Sequence, residues 1–224
     1  GSRAAQGGPG WRGISRGSGS RPTWRIFTDG SSMGDLSLRS CNSIDVRHFR
    51  VPARDICKMS VRRIAERLAR GRTLWRRLPR DLSRAPLLVS PDAALQLVKP
   101  GDAAFDPMLL RFCREDVAPG AVVWDVGANV GIVSLGAAVR DAEVLAIEPD
   151  PFLGGLLRRT AAHPENRSRG IDVLGAAVAA APGTARLAIA GRGRASNFLE
   201  DFGGRSMAGG MRESCLVPLL TLDL

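Results

Sequence analysis

Ala121-Val-Val-Trp-Asp-Val-Gly-Ala-Asn-Val-Gly131 is the stretch of this 224-residue chain on which the fold turns. Ala121 to Val126 is a nearly continuous apolar run, the pattern of a parallel strand covered on both faces. Gly127 to Gly131 then leads into Ile132 to Arg140, a helix rich in Ala, Leu and Val. Further on, Val144 to Ile147 reads as a second apolar strand, closed by Glu148-Pro-Asp-Pro151. Phe152 to Ala162 reads as a second helix and Ile171 to Leu174 as a third strand. Strand, helix, strand, helix, strand is the grammar of a doubly wound α/β sheet with right-handed crossovers. Upstream, Pro107 to Asp116 reads as a helix, with Met108, Leu109 and Phe112 on one side. Leu87–Val89 and Leu95–Val98 flank Ser90-Pro91-Asp92, which predicts a small hairpin.

Three features coincide around Asp125. The turn after the first strand carries glycine, so the backbone can approach a ligand where a Cβ would collide. The helix that opens beside it presents free N–H groups and a positive dipole end. Glu148 stands 21 residues after Gly127, at the carboxyl end of the next strand, where an acid can accept hydrogen bonds from ribose hydroxyls. A dinucleotide fingerprint would be G-x-G-x-x-G. Here Asn129 stands where its second glycine belongs, and Asp125 precedes the first. An anionic Asp125 repels a pyrophosphate but suits a ligand bearing an ammonium and a sulfonium. S-adenosylmethionine is that ligand.

VVWDVGANVGIVSL, AIEPDP, LGAAVAAAPGTARL and VPLLTLD resemble successive signatures of the FkbM-family methyltransferases, over about Leu87 to Leu224. The resemblance implies a Rossmann-like class I methyltransferase sheet using S-adenosylmethionine, mostly for O-methylation of sugar or other small-molecule hydroxyls. It implies that Asp125, Gly127, Ala128, Asn129 and Gly131 form the cofactor turn and that Glu148 holds the ribose. Asp150 and Pro151 would shape the adenine side, with Ala177 a further candidate for the adenine wall. Thr221-Leu-Asp223 is similar to the family's TLD element. The family continues beyond that element with a strand carrying K-x-D-x-E-G, to which nothing here corresponds. The expectation is therefore an incomplete sheet of about three core strands plus a hairpin-like segment, with the first strand exposed on one edge. No catalytic base is assigned: His163 lies in a loop, and Asn197 and Asp201 lie in a Gly-rich connector.

The rest of the chain frames this domain. Residues 1–58 hold 9 Gly, 9 Ser and 9 Arg, a composition that predicts a disordered leader. Residues 59–84 carry Val61, Ile64, Leu68, Trp75 and Leu78 among many arginines, which predicts a basic amphipathic helix ended by Pro79. Residues 85–224 form the methyltransferase part. The net charge of +10 is confined to the first two segments, and 85–224 is slightly acidic, which argues against nucleic acid as a partner. A nicotinamide-dependent oxidoreductase and a basic nucleic-acid-binding protein stay as alternatives. The four cysteines, 16, 56 and 102 positions apart, show no metal-ligand spacing, and free thiols in a reducing cytoplasm are expected. No run approaches the roughly 20 apolar residues of a membrane span.

Overall fold

The computed structural model describes residues 25–28, 68–200 and 210–222. It is a mixed α/β protein whose central element is a parallel sheet. β1 (Arg25–Thr28), β4 (Val122–Val126), β5 (Glu143–Ile147) and β6 (Ile171–Leu174) lie in the order β1-β4-β5-β6. Two helices connect these strands, α2 (Ile132–Val139) and α3 (Pro151–Ala161). β4 is in register with β5 from Val122 beside Glu143 to Val126 beside Ile147, so the two strands end level. Their carboxyl ends therefore present the turn at Gly127 and the acid at Glu148 side by side.

Local chemistry explains where the helices begin. Both α3 and α1 (Pro107–Glu115) start with Asp-Pro: Asp150 accepts the Phe152 N–H and Asp106 the Met108 N–H, while proline fills the first helical position. α2 starts differently. Its cap is Gly131, at φ +86°, and a Cβ there would stand 2.2 Å from Leu157 Cδ1 of α3. Glycine is required on both counts, backbone conformation and close helix approach. Every residue of α2 from Ile132 to Ala138 is buried, as its all-round apolar sequence demands.

Three expectations need correction. The segment 59–84 is not one helix: among its described residues helical backbone ends at Ala69, and β2 (Leu74–Arg77) is a strand. Gly71, at φ +66°, breaks the helix, and Leu-Trp-Arg-Arg then alternates half-buried and exposed with a period of two. The hairpin is also misplaced. β3 (Pro86–Val89) pairs antiparallel with β2, Leu74 opposite Val89, whereas Leu95–Val98 forms a 3-10 turn. All four residues of β3 are buried, against α3: Leu88 N–H donates to Thr160 Oγ1 at 2.9 Å, and Asn166 Nδ2 donates to the Pro86 carbonyl at 2.7 Å.

The free edge expected on β4 is also occupied. β1, which lies within the segment read as a leader, pairs parallel with it, Arg25 beside Val123 and Thr28 beside Val126. The remaining readings on residues 1–24 and 29–67, and those on Asp201 and Asp223, fall outside the described residues.

A second sheet follows in the chain. β7 (Ala177–Val178), β10 (Met211–Leu220), β8 (Gly183–Ala190) and β9 (Phe198–Leu199) lie in that order, with β10 parallel to β7 and antiparallel to β8. Its own small core is Ala177, Leu187, Ile189 and Val217. The main core joins β3 to the helices through Leu82, Leu87, Leu135 and Leu153.

Candidate functional site

A cleft of about 130 Å³ opens at the carboxyl end of β4. Asp125, Gly127, Ala128 and Asn129 line one side, and Gln96, Leu97, Asp106, Leu109 and Ala195 are among the residues opposite. Four of the sequence-derived turn residues therefore meet in one cavity. Gly131 stands behind it, at the start of α2, packed by Leu157.

The turn is held open by its own backbone. The N–H groups of Gly127 and Ala128 both donate to the Ile147 carbonyl, at 2.9 and 3.1 Å. Gly127 at φ +77° has open space where a Cβ would be, so a ligand can lie directly against the main chain. Asn129 takes a left-handed conformation, φ +53°, which asparagine tolerates better than most residues. Its Oδ1 is buried and has no hydrogen-bond partner among the described residues. Asp125 is buried and accepts a hydrogen bond from the Ser134 hydroxyl, one turn into α2.

Glu148 is tied to the same turn. Its Oε2 accepts the Asn129 N–H at 2.7 Å and its Oε1 the Asp150 N–H at 2.8 Å. It makes no ion pair among the described residues. Burial pushes its carboxyl up to about 7; the two N–H donors hold it down, and the charges of Asp150 and Asp125 push it further up. Each oxygen keeps acceptor capacity after one hydrogen bond, so the group can still receive hydroxyls.

Asp150, only two residues away, is held by a different set of partners. It is fully buried, and Arg194 grips it through Nη1 at 2.9 and 2.7 Å, with Asn197 Nδ2 at 2.8 Å. Arg194 also donates from Nε to Asp92 at 3.1 Å and from Nη2 to Glu213 at 2.9 Å, and it stacks 4.6 Å from the centre of the Phe152 ring. Arg212 completes the cluster with two hydrogen bonds to Asp92, at 2.9 and 2.8 Å. Burial pushes Asp92 up, but the Arg212 and Arg194 guanidinium groups more than offset this and hold it below the usual carboxylate range. Backbone bonds reinforce the clasp: Arg194 N–H reaches the Asp92 carbonyl and Ala195 N–H the Ala93 carbonyl. The turn Arg194–Ser196 is thus strapped to the loop after β3 and to the start of α3, with Ala195 as one wall of the cleft.

The other candidates scatter. Ala177 is buried in the core of the second sheet, and neither it nor Glu148, Asp150 or Pro151 lines the cleft. Pro151 opens α3 and serves its cap. His163 packs against Trp75 beyond the far end of α3, ring centres 4.8 Å apart and planes tilted by 60°. Asn197 binds Asp150 and the Ala190 N–H. Sequence reasoning missed Arg194, Arg212 and Asp92 altogether. Arg194 is one of thirty arginines, and Asp92 is 102 residues away from it, so no local spacing marks the pair. Among the described residues no cluster of His, Cys, Asp and Glu could hold a metal ion, and no helix is long and apolar enough to cross a membrane.

No family model matches the chain, and no curated protein matches it either. Among solved structures, the chain is similar to coclaurine N-methyltransferase bound to N-methylheliamine and SAH, at 18% identity and a TM-score of 0.33. The likeness covers 56% of this chain and 44% of that one, so the chain spans less than half of that protein.

Proposed function

We propose that this chain is an S-adenosylmethionine-dependent methyltransferase of the Rossmann-like, doubly wound type, and that its acceptor is a hydroxyl of a sugar or other small molecule. The observation that supports the cofactor most is the meeting of the β4 turn with Glu148. An uncrowded glycine, an unpartnered buried Asn129 Oδ1 and a buried carboxylate with acceptor capacity lie within one hydrogen-bonded unit. The donors and acceptors fit an adenosine with an amino-acid tail. Glu148 would accept the ribose hydroxyls, Asp125 would face the ammonium, and the main chain at Gly127 would lie against the ligand.

S-adenosylmethionine supplies a sulfonium-activated methyl when bound. The chain's own part is to align an acceptor and exclude water, a proximity effect worth several kcal/mol. The cleft is smaller than the roughly 300–1,000 Å³ of ordinary ligand sites. The acceptor class rests on the FkbM resemblance alone.

The nicotinamide alternative is disfavoured by Asp125 beneath the turn and by Asn129 in place of a glycine. Calorimetric titration with S-adenosylhomocysteine and with NAD separates the two. The proposal expects heat only with the first, and binding of NAD alone would overturn it.

A further inference from the structure

We propose a second ligand site: the concave surface beside β2 binds the phosphomonoester group of a small organic molecule. The cavity measures about 600 Å³ and is lined by Trp75, Arg76, Arg77, Arg80 and Arg84 and by the carboxylates of Asp81 and Asp102. That volume lies within the roughly 300–1,000 Å³ of small-molecule sites.

Its charge is not balanced internally. Arg77 is committed to Glu165, with two hydrogen bonds of 2.9 and 3.0 Å, and Asp81 is committed to Arg114. Arg76, Arg80 and Arg84 are left against Asp102, an excess of two positive charges. Arg80 and Arg84 are exposed and make no side-chain hydrogen bond or ion pair among the described residues. Arg76 is fixed by Nη2 bonds to the carbonyls of Lys99 and Gly101, at 2.6 and 3.1 Å, yet its Nε is buried without a partner. A phosphomonoester carries about −1.5 to −2 at neutral pH with three acceptor oxygens, which matches the excess charge. Ser83 and Arg84 both take left-handed conformations, φ +57° and +51°, and so turn the chain at the cavity rim. Trp75, 46% exposed and braced by His163, offers an aromatic face to the organic part.

This site is separate from the cleft at Asp125. β2 meets the loop that follows α3, through His163 and Glu165, whereas Glu148 and Asp150 precede that helix. The two cavities share no lining residue. The inference therefore does not depend on the methyltransferase reading.

The test is titration of the full chain at low ionic strength, followed by Trp fluorescence and calorimetry, with inorganic phosphate, glucose 6-phosphate and AMP against glucose and adenosine. The expected result is binding of the phosphorylated compounds only, weakened by added salt. Arg80→Gln/Arg84→Gln should raise the dissociation constant roughly tenfold or more while circular dichroism and S-adenosylhomocysteine affinity stay unchanged. Arg80→Gln alone should give a smaller loss of the same kind. Equal affinity for phosphorylated and neutral compounds would overturn the proposal, as would phosphate binding indifferent to both variants. Binding to phosphatidylserine vesicles without any to the soluble phosphates would overturn it too, by making the surface a membrane contact.

Discussion

Glu148 and Asp150 stand two residues apart in one loop, both buried, and the fold treats them in opposite ways. Asp150 is surrounded by donors from distant parts of the chain, the Arg194 guanidinium and the Asn197 amide. Glu148 receives two main-chain N–H groups and no cation among the described residues, and burial pushes it up to about 7. The first arrangement is architecture: a compensated anion joins the second sheet's connecting turn to the start of α3. The second leaves a carboxylate that ligand hydroxyls can still satisfy. Proximity in sequence says little about role; the partners decide it.

Removing the compensation should have the largest effect. Arg194→Ala leaves the buried Asp150 without its cation and Asp92 with one instead of two. A loss of about 3–5 kcal/mol in urea-unfolding stability is expected, because an unpaired buried charge costs that much. A loss below about 1 kcal/mol would show that the cluster is not structural. Gly131→Ala tests the glycine between the two helices. A left-handed alanine, with its Cβ against Leu157, should cost about 2–4 kcal/mol. Wild-type stability would mean that the close approach is not maintained.

The pH dependence sharpens the contrast at Glu148. Its folded pKa, about 7, is raised above the ordinary value of 4.5, so its contribution to stability is fully present below about 4.5 and is lost as pH rises through about 7. Between about pH 5.5 and 7.5 the wild type should lose on the order of 2 kcal/mol relative to Glu148→Gln. Parallel stability curves for the two proteins would show that burial does not raise the Glu148 carboxyl.

The legible and illegible parts of this molecule divide along the same line. β4, α2, β5, α3 and β6 fall within a residue or two of the boundaries read from the sequence, because long apolar runs and Asp-Pro starts are local signals. Asp125, Gly127, Ala128 and Asn129 were legible as one unit for the same reason. Leu74–Arg77 was read as helix because four residues are too few to show their period among so many arginines. β1 is equally short and lies in a Gly-, Ser- and Arg-rich segment, so nothing local marks it as a strand. Ala177, a candidate by resemblance alone, is buried in the second sheet's core. The Asp150–Arg194–Asp92 cluster joins residues from three separate loops, a long-range fact that no spacing rule reports.

The central claim is that the β4 turn and Glu148 together hold S-adenosylmethionine. The most direct measurement is the dissociation constant of S-adenosylhomocysteine for the wild type and for Glu148→Ala, with circular dichroism to confirm that both are folded. Loss of hydrogen bonds to a charged group should cost about 1.5–3 kcal/mol, a ten- to hundredfold weaker complex. Equal affinity in two folded proteins, or no binding by the wild type, would contradict the account.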